Sequence, residues 1–108
     1  MSTAHILPPT DYSAIDKKVA KIIKKAQSYM KNTSPDFVEK EINKAYLYAR
    51  DAHEGVFRHS GEPYIDHPVE ATLILLDLNP DVNTIQACLL HDVVEDTPRT
   101  LEEIETEF

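Results

Sequence analysis

Apolar residues recur at helical spacing along most of the chain. Ile15, Val19, Ile22, Ile23, Ala26 and Met30 fall on one stripe, with lysines on the opposite side, which predicts an amphipathic first helix. Ser13 followed by Asp16 reads as its capping box, and Asn32 and Thr33 break it. Ser34-Pro35 is a strong restart, because the N–H that proline lacks would have no partner in a first helical turn. The second helix then carries Phe37, Val38, Ile42, Ala45, Ala49 and Ala52 inward, with Gly55 as its terminator.

Between residues 57 and 66 the periodicity stops, and Arg58-His59-Ser60-Gly61-Glu62-Pro63 reads as a loop longer than helix packing alone requires. A third helix is expected from Pro68, with His67 or Asp66 at its cap, through Leu78, and Asn79-Pro80-Asp81 closes it. The fourth opens near Val82 or Asn83, turns Ile85, Cys88, Leu89 and Val93 inward, and is stopped by Pro98. Thr100 and Glu103 repeat the capping-box signal ahead of a last helix that runs to Phe108. That helix has no closing residue, and Ile104 and Phe108 want a partner surface. The expectation is an oligomer or a longer parent chain, with the helical bundle cut at its C-terminus. The pattern predicts an all-α fold of about five helices.

Composition narrows the class. A chain of 108 residues suits one domain, and the single Cys88 excludes a disulfide framework and fits a reducing, cytoplasmic compartment. No apolar run approaches the ~20 residues of a membrane span, and residues 1–10 lack a signal peptide's regions. Charge is split: residues 1–50 hold nine Lys/Arg against five Asp/Glu, and residues 51–108 hold two against fourteen. The cluster Lys17, Lys18, Lys21, Lys24 and Lys25 could touch RNA or lipid, but a solvated helix face is the plainer reading. No nucleic-acid or membrane partner is expected, since the half rich in His and Asp is acidic and suits a cation.

Five histidines are present. His5 lies in the N-terminal segment and is given no role. His53, on the inner edge of the second helix, reads as a packing residue, and His59 sits in the polar loop. His67 stands at a helix start. His91 is followed directly by Asp92, an ionisable pair expected inside an apolar helix, where burial without a compensating partner is costly. A divalent metal is one such partner, with imidazole and carboxylate as its N/O ligands. A hydrogen bond within the pair is the other. Glu95, one turn on, and Asp96 beside it add negative charge that favours the metal.

Two segments at this separation, Arg58-His59-Ser60-Gly61-Glu62-Pro63-Tyr64-Ile65-Asp66-His67-Pro68 and His91-Asp92-Val93-Val94-Glu95-Asp96-Thr97, closely resemble the N-terminal hydrolase domain of RelA/SpoT-type proteins. These belong to the HD superfamily of metal-dependent phosphohydrolases. The resemblance covers residues from about 36 to 108, includes Ala52-His53-Glu54-Gly55, and divides the chain into a basic N-terminal helix (1–33) and a partial HD hydrolase domain (34–108). It implies His67, His91 and Asp92 as ligands of one manganese ion, with a fourth, aspartate ligand on a later helix beyond Phe108. Glu95 and Asp96 would orient or deprotonate the attacking water, and Arg58, His59 and Ser60 would hold the nucleotide. Where the family commonly has Lys or Arg after the arginine, this chain has His59. The implied reaction removes the 3′-diphosphate of guanosine tetra- or pentaphosphate, and a synthetase domain would follow in the parent. A guanine-nucleotide-binding module without turnover, and a phosphohydrolase of another nucleotide, are the competing readings.

Overall fold

The computed structural model describes residues 10–58, 60–93 and 100–108. Among them run five α-helices: α1 (Ser13–Tyr29), α2 (Pro35–Ala52), α3 (Asp66–Leu75), α4 (Val82–Leu90) and α5 (Leu101–Glu107). A 3-10 turn, Leu76–Leu78, extends α3, and the only β-type pairing among the described residues is one antiparallel bridge between Phe57 and Pro63. The all-α expectation holds.

Helix α2 is the centre of the bundle. It packs chiefly on α4, with α1 along another side, and α3 closes the ring against α1 and α4. The inward stripe of α2 is Val38, Ile42, Ala45 and Ala49, all fully buried, joined by Tyr46. The two alanines let the neighbouring helices approach closely, and Ile22, Val69, Ile85 and Leu89 fill the space between. Phe37 does not join them; it is 50% exposed. One residue off the 38-42-45-49 stripe, it projects about 100° away from the core, on the side of Glu41 and Lys44. Met30 is half-buried and Cys88 likewise.

The ends of the helices are set by local chemistry, in part differently from the sequence expectation. Ser13 does not cap α1. Asp11 accepts from the Ser13 amide at 2.9 Å and the Ser13 hydroxyl at 2.6 Å, which holds the Asp11 carboxyl below its ordinary range. Ser34 does cap α2, accepting from the Phe37 amide at 3.4 Å. Helix α3 begins at Asp66, two residues before Pro68. Its first turn is closed by the Asp66 and His67 amides donating to the Pro63 and Tyr64 carbonyls, and the missing N–H of Pro68 leaves nothing unsatisfied there. Asn79, at φ +50, ends the 3-10 turn in the left-handed conformation that asparagine tolerates. Asp81 caps α4 through the Thr84 amide at 2.8 Å, and hydrogen bonding by the Thr84 side chain, then by its amide, lowers the Asp81 pKa. Thr100 caps α5 through the Glu103 amide at 3.1 Å.

Part of the surface sought by the last helix lies in this chain, although Phe108 stays 41% exposed. Ile104 packs against the core, the Phe108 ring meets Tyr48 edge-on at 5.6 Å, and the Lys44 ammonium lies 4.6 Å over the Phe108 ring. Lys44 also donates to the Glu107 carbonyl. Polar anchors fix the other helices. Tyr29 donates to the Pro80 carbonyl at 2.6 Å and Gln86 to the Glu41 carbonyl at 2.9 Å. Tyr46 donates to Asp16 at 2.6 Å, and burial followed by that carboxylate pushes its phenol upward. Lys18 departs from the solvated face expected of the lysines. It spans from α1 to the first turn of α3, donating to Asp66 at 2.7 Å and Glu70 at 2.6 Å.

Leu89→Ala, opening a cavity between α4 and α2, is expected to destabilise the domain by about 2–4 kcal/mol in denaturant unfolding. Lys18→Met leaves the Asp66 carboxylate, 12% exposed, without its cation, and is expected to cost about 1–2 kcal/mol at neutral pH. The Asp66 and Glu70 hydrogen bonds raise the Lys18 pKa above its ordinary 10.5. The wild-type advantage is therefore complete below pH 10.5 and disappears as pH climbs through the raised value. Chemical melts of both proteins at neutral and strongly alkaline pH measure it.

Candidate metal centre

The connection between α2 and α3 is a folded-back turn. Gly55, at φ +83, lets the chain leave α2, and Gly61, at φ +93, lets it reverse. Arg58 donates its amide to the Glu62 carbonyl and accepts from the Gly61 amide, both at 2.9 Å, and the Ser60 hydroxyl donates to the Glu62 carboxylate at 2.6 Å. The Tyr64 amide then reaches the Val56 carbonyl at 2.8 Å. The chain thus returns to the end of α2 before α3 starts, and this fixes where His67 stands.

The second contribution comes from the end of α4. That helix stops at Leu90, and His91 and Asp92 form the turn after it rather than lying within it. The cause is visible at the ring: His91 Nδ1 bonds the Cys88 carbonyl at 2.6 Å, taking over one of the helix's last acceptors. Burial therefore bears on Asp92, whose side chain is 14% exposed, and not on His91 at 46%.

His67, His91 and Asp92 come together, each offering one ligand atom, all within 4.8 Å of one another. His91 Nε2 lies 3.2 Å from Asp92 Oδ2, and His67 Nε2 lies 4.0 Å from the same oxygen. Ligands held ~2.1 Å from one ion are separated by ~3–4 Å, and both imidazole-to-Oδ2 distances fall in that range. The proton of His91 adds to this. A carbonyl can only accept, so Nδ1 carries the hydrogen and Nε2 of the neutral ring presents a lone pair to a carboxylate oxygen. Two acceptors at that separation need a positive charge between them, a second ring proton or a metal. A carbonyl behind the far nitrogen is also the common support of a ligating imidazole. The Tyr64 hydroxyl donates to Asp92 Oδ2 at 3.1 Å and closes the site on one side; the two imidazoles leave it open on the other.

Among the described residues, none of the other sequence candidates belongs to this cluster. Arg58 and Ser60 are exposed in the loop. His53 is buried as the cap residue of α2, its ring 4.9 Å from that of Tyr64, which fits the packing role expected of it. His5, His59, Glu95, Asp96 and Pro98 lie outside the described residues. Tyr64 escaped the residue-by-residue reading, because a tyrosine in a polar loop carries no spacing signal, although it stands inside the longer matching segment. No helix among the described residues is long and apolar enough to cross a membrane.

The chain is 53% identical over 74 residues to the bifunctional (p)ppGpp synthase/hydrolase SpoT of Escherichia coli, covering 68% of this chain and 10% of that one. It is 47% identical over 83 residues to the guanosine-3′,5′-bis(diphosphate) 3′-pyrophosphohydrolase of Vibrio cholerae, covering 77% of this chain and 11% of that one. The GTP pyrophosphokinase rsh of Brucella melitensis is 42% identical over 87 residues, 81% of this chain and 11% of the relative. The chain therefore spans about a tenth of the length of the curated relatives it matches. The HD domain profile matches residues 45–108, from the middle of α2 through α5 and across all three clustered residues. With more than half of its length matched, and a His-His-Asp cluster of the kind such domains use for a divalent metal, the chain belongs to the HD domain family.

Proposed function

We propose that this chain forms part of a manganese-dependent 3′-pyrophosphohydrolase of guanosine tetra- and pentaphosphate, acting in the stringent response. The observation that carries the reading is the convergence of His67 Nε2, His91 Nε2 and Asp92 Oδ2, with the His91 proton committed to the Cys88 carbonyl. The substrate class is supported by the relatives from E. coli and V. cholerae, whose names state hydrolysis of this nucleotide. Water attacks phosphorus of the 3′-diphosphate, the bond to that group breaks, and GDP or GTP leaves with pyrophosphate.

His67, His91 and Asp92 hold one Mn2+. When bound, the ion supplies a Lewis acid for phosphate oxygens and a hydroxide source near neutral pH. Glu95 and Asp96 orient the attacking water or take its proton. Arg58, His59 and Ser60 hold the nucleotide. Arg58 and Arg99 are the two Lys/Arg residues in the acidic stretch 51–108, so a polyanion has few cationic side chains to meet there. The single Cys88 fits a cytoplasmic setting. A synthetase in the same protein belongs to this reading, since the E. coli relative is bifunctional. So does the division into an N-terminal helix (1–33) and an HD portion (34–108).

In the protein carrying this sequence, His91→Ala and Asp92→Ala are each expected to lower Mn2+-dependent pyrophosphate release from ppGpp by at least ~100-fold, and a chelator to abolish it in the wild type. Undiminished release from either variant overturns the assignment. Binding of ppGpp in chelator with no product under any metal would replace the enzyme by a nucleotide-binding module. Arg58→Ala, removing one charge-assisted phosphate contact, is expected to raise KM about tenfold with a smaller change in kcat. Steady-state kinetics over a range of ppGpp concentrations separates the two.

A further inference from the structure

The Asp92 oxygen that faces both imidazoles is the same atom that accepts the Tyr64 hydroxyl. From this we infer that Tyr64 is a positioning residue for metal capture, an inference that rests on the His67–His91–Asp92 cluster being a metal site.

A carboxylate can rotate about its Cβ–Cγ bond, and in a half-open site a fixed donor is needed to keep one oxygen turned toward the histidines. The phenol is that donor. It occupies one lone-pair direction of Oδ2 at 3.1 Å and leaves the other toward His91 and His67. The same residue sets the second ligand through its main chain: the Tyr64 carbonyl accepts the His67 amide at 2.9 Å, in the first turn of α3. Its own amide is tied to Val56 at 2.8 Å, at the exit from α2. Its ring is packed between His53, 4.9 Å away and buried, and His67, 5.8 Å away. One residue thus links ligands from two separate elements, α3 and the turn after α4. Outer partners of this kind commonly contribute 10–100-fold to metal affinity.

Tyr64→Phe removes the hydroxyl and keeps the ring between the two histidines. Titration of the 108-residue chain with Mn2+, following the EPR signal of the free ion, reads both affinity and the number of sites. The expected result is a dissociation constant raised about tenfold at an unchanged number of sites, with the metal-free melting temperature close to that of the wild type. A merely structural role would lower the number of sites or the melting temperature and leave the affinity of the folded molecules alone. A dissociation constant within twofold of the wild type therefore overturns the inference. Should Tyr64→Phe not be recovered folded, Tyr64→Met, also without a hydroxyl, gives the same comparison. A wild type that binds no Mn2+ overturns instead the reading of the cluster as a metal site, which separates the two failures. Adding Tyr64→Phe to Asp92→Asn is expected to produce no further loss of affinity, because the oxygen that the phenol orients no longer carries the charge.

Discussion

A carboxylate oxygen, a second imidazole and a lone pair held in place by a carbonyl at the far side of its ring meet in a space of a few ångströms. The Nδ1 proton of His91 is committed to Cys88, so only a second ring proton or a metal can relieve the crowding. The remaining atoms, His91 Nε2 and Asp92 Oδ2 at 3.2 Å, repel unless a positive charge lies between them. The site is therefore poised for a cation by the same bond that ends α4. A small change in the last turn of that helix would alter ligand direction and helix length together.

The rest of the fold keeps these groups in register. Their elements are distant in sequence, and the apolar stripe of α2 brings them together by packing along α4 while the folded-back loop delivers the chain to α3. Lys18 pins the start of α3 from the side of α1 through Asp66 and Glu70, one residue before and three residues after His67. Tyr29 holds the α3–α4 connection through Pro80. Such anchors add little energy individually, but they fix rotation and translation of helices whose apolar contacts alone would tolerate slippage.

Electrostatics sorts the surface along the same lines. The stretch from 51 to 108 is strongly acidic, which would turn away a phosphate-rich ligand and attract a divalent cation. A cation seated at the cluster reverses the local sign and makes an acidic face able to accept an anion. The lysines of α1 belong mainly to solvent, with Lys18 withdrawn from that face to serve the start of α3.

The sequence by itself determined the helices, their breaks at Ser34-Pro35 and Asn79-Pro80-Asp81, and most of the core, because spacing and capping are properties of short stretches. It also marked the His91-Asp92 pair, through chemistry that an apolar surround would penalise, whereas His67 was singled out as a ligand only by the family resemblance. It placed Phe37 inside, gave Ser13 a capping role it does not have, and ran α4 through the His91-Asp92 pair. Each of these depends on a competition between neighbours that residue type does not settle. Tertiary structure alone decided that Phe108 rests on Tyr48 and Lys44, that Lys18 leaves its helix face for Asp66, and that Tyr64 meets Asp92. Those contacts join residues between 28 and 64 positions apart. No local period encodes them, since they exist only once burial of the apolar stripes has fixed which helix faces which.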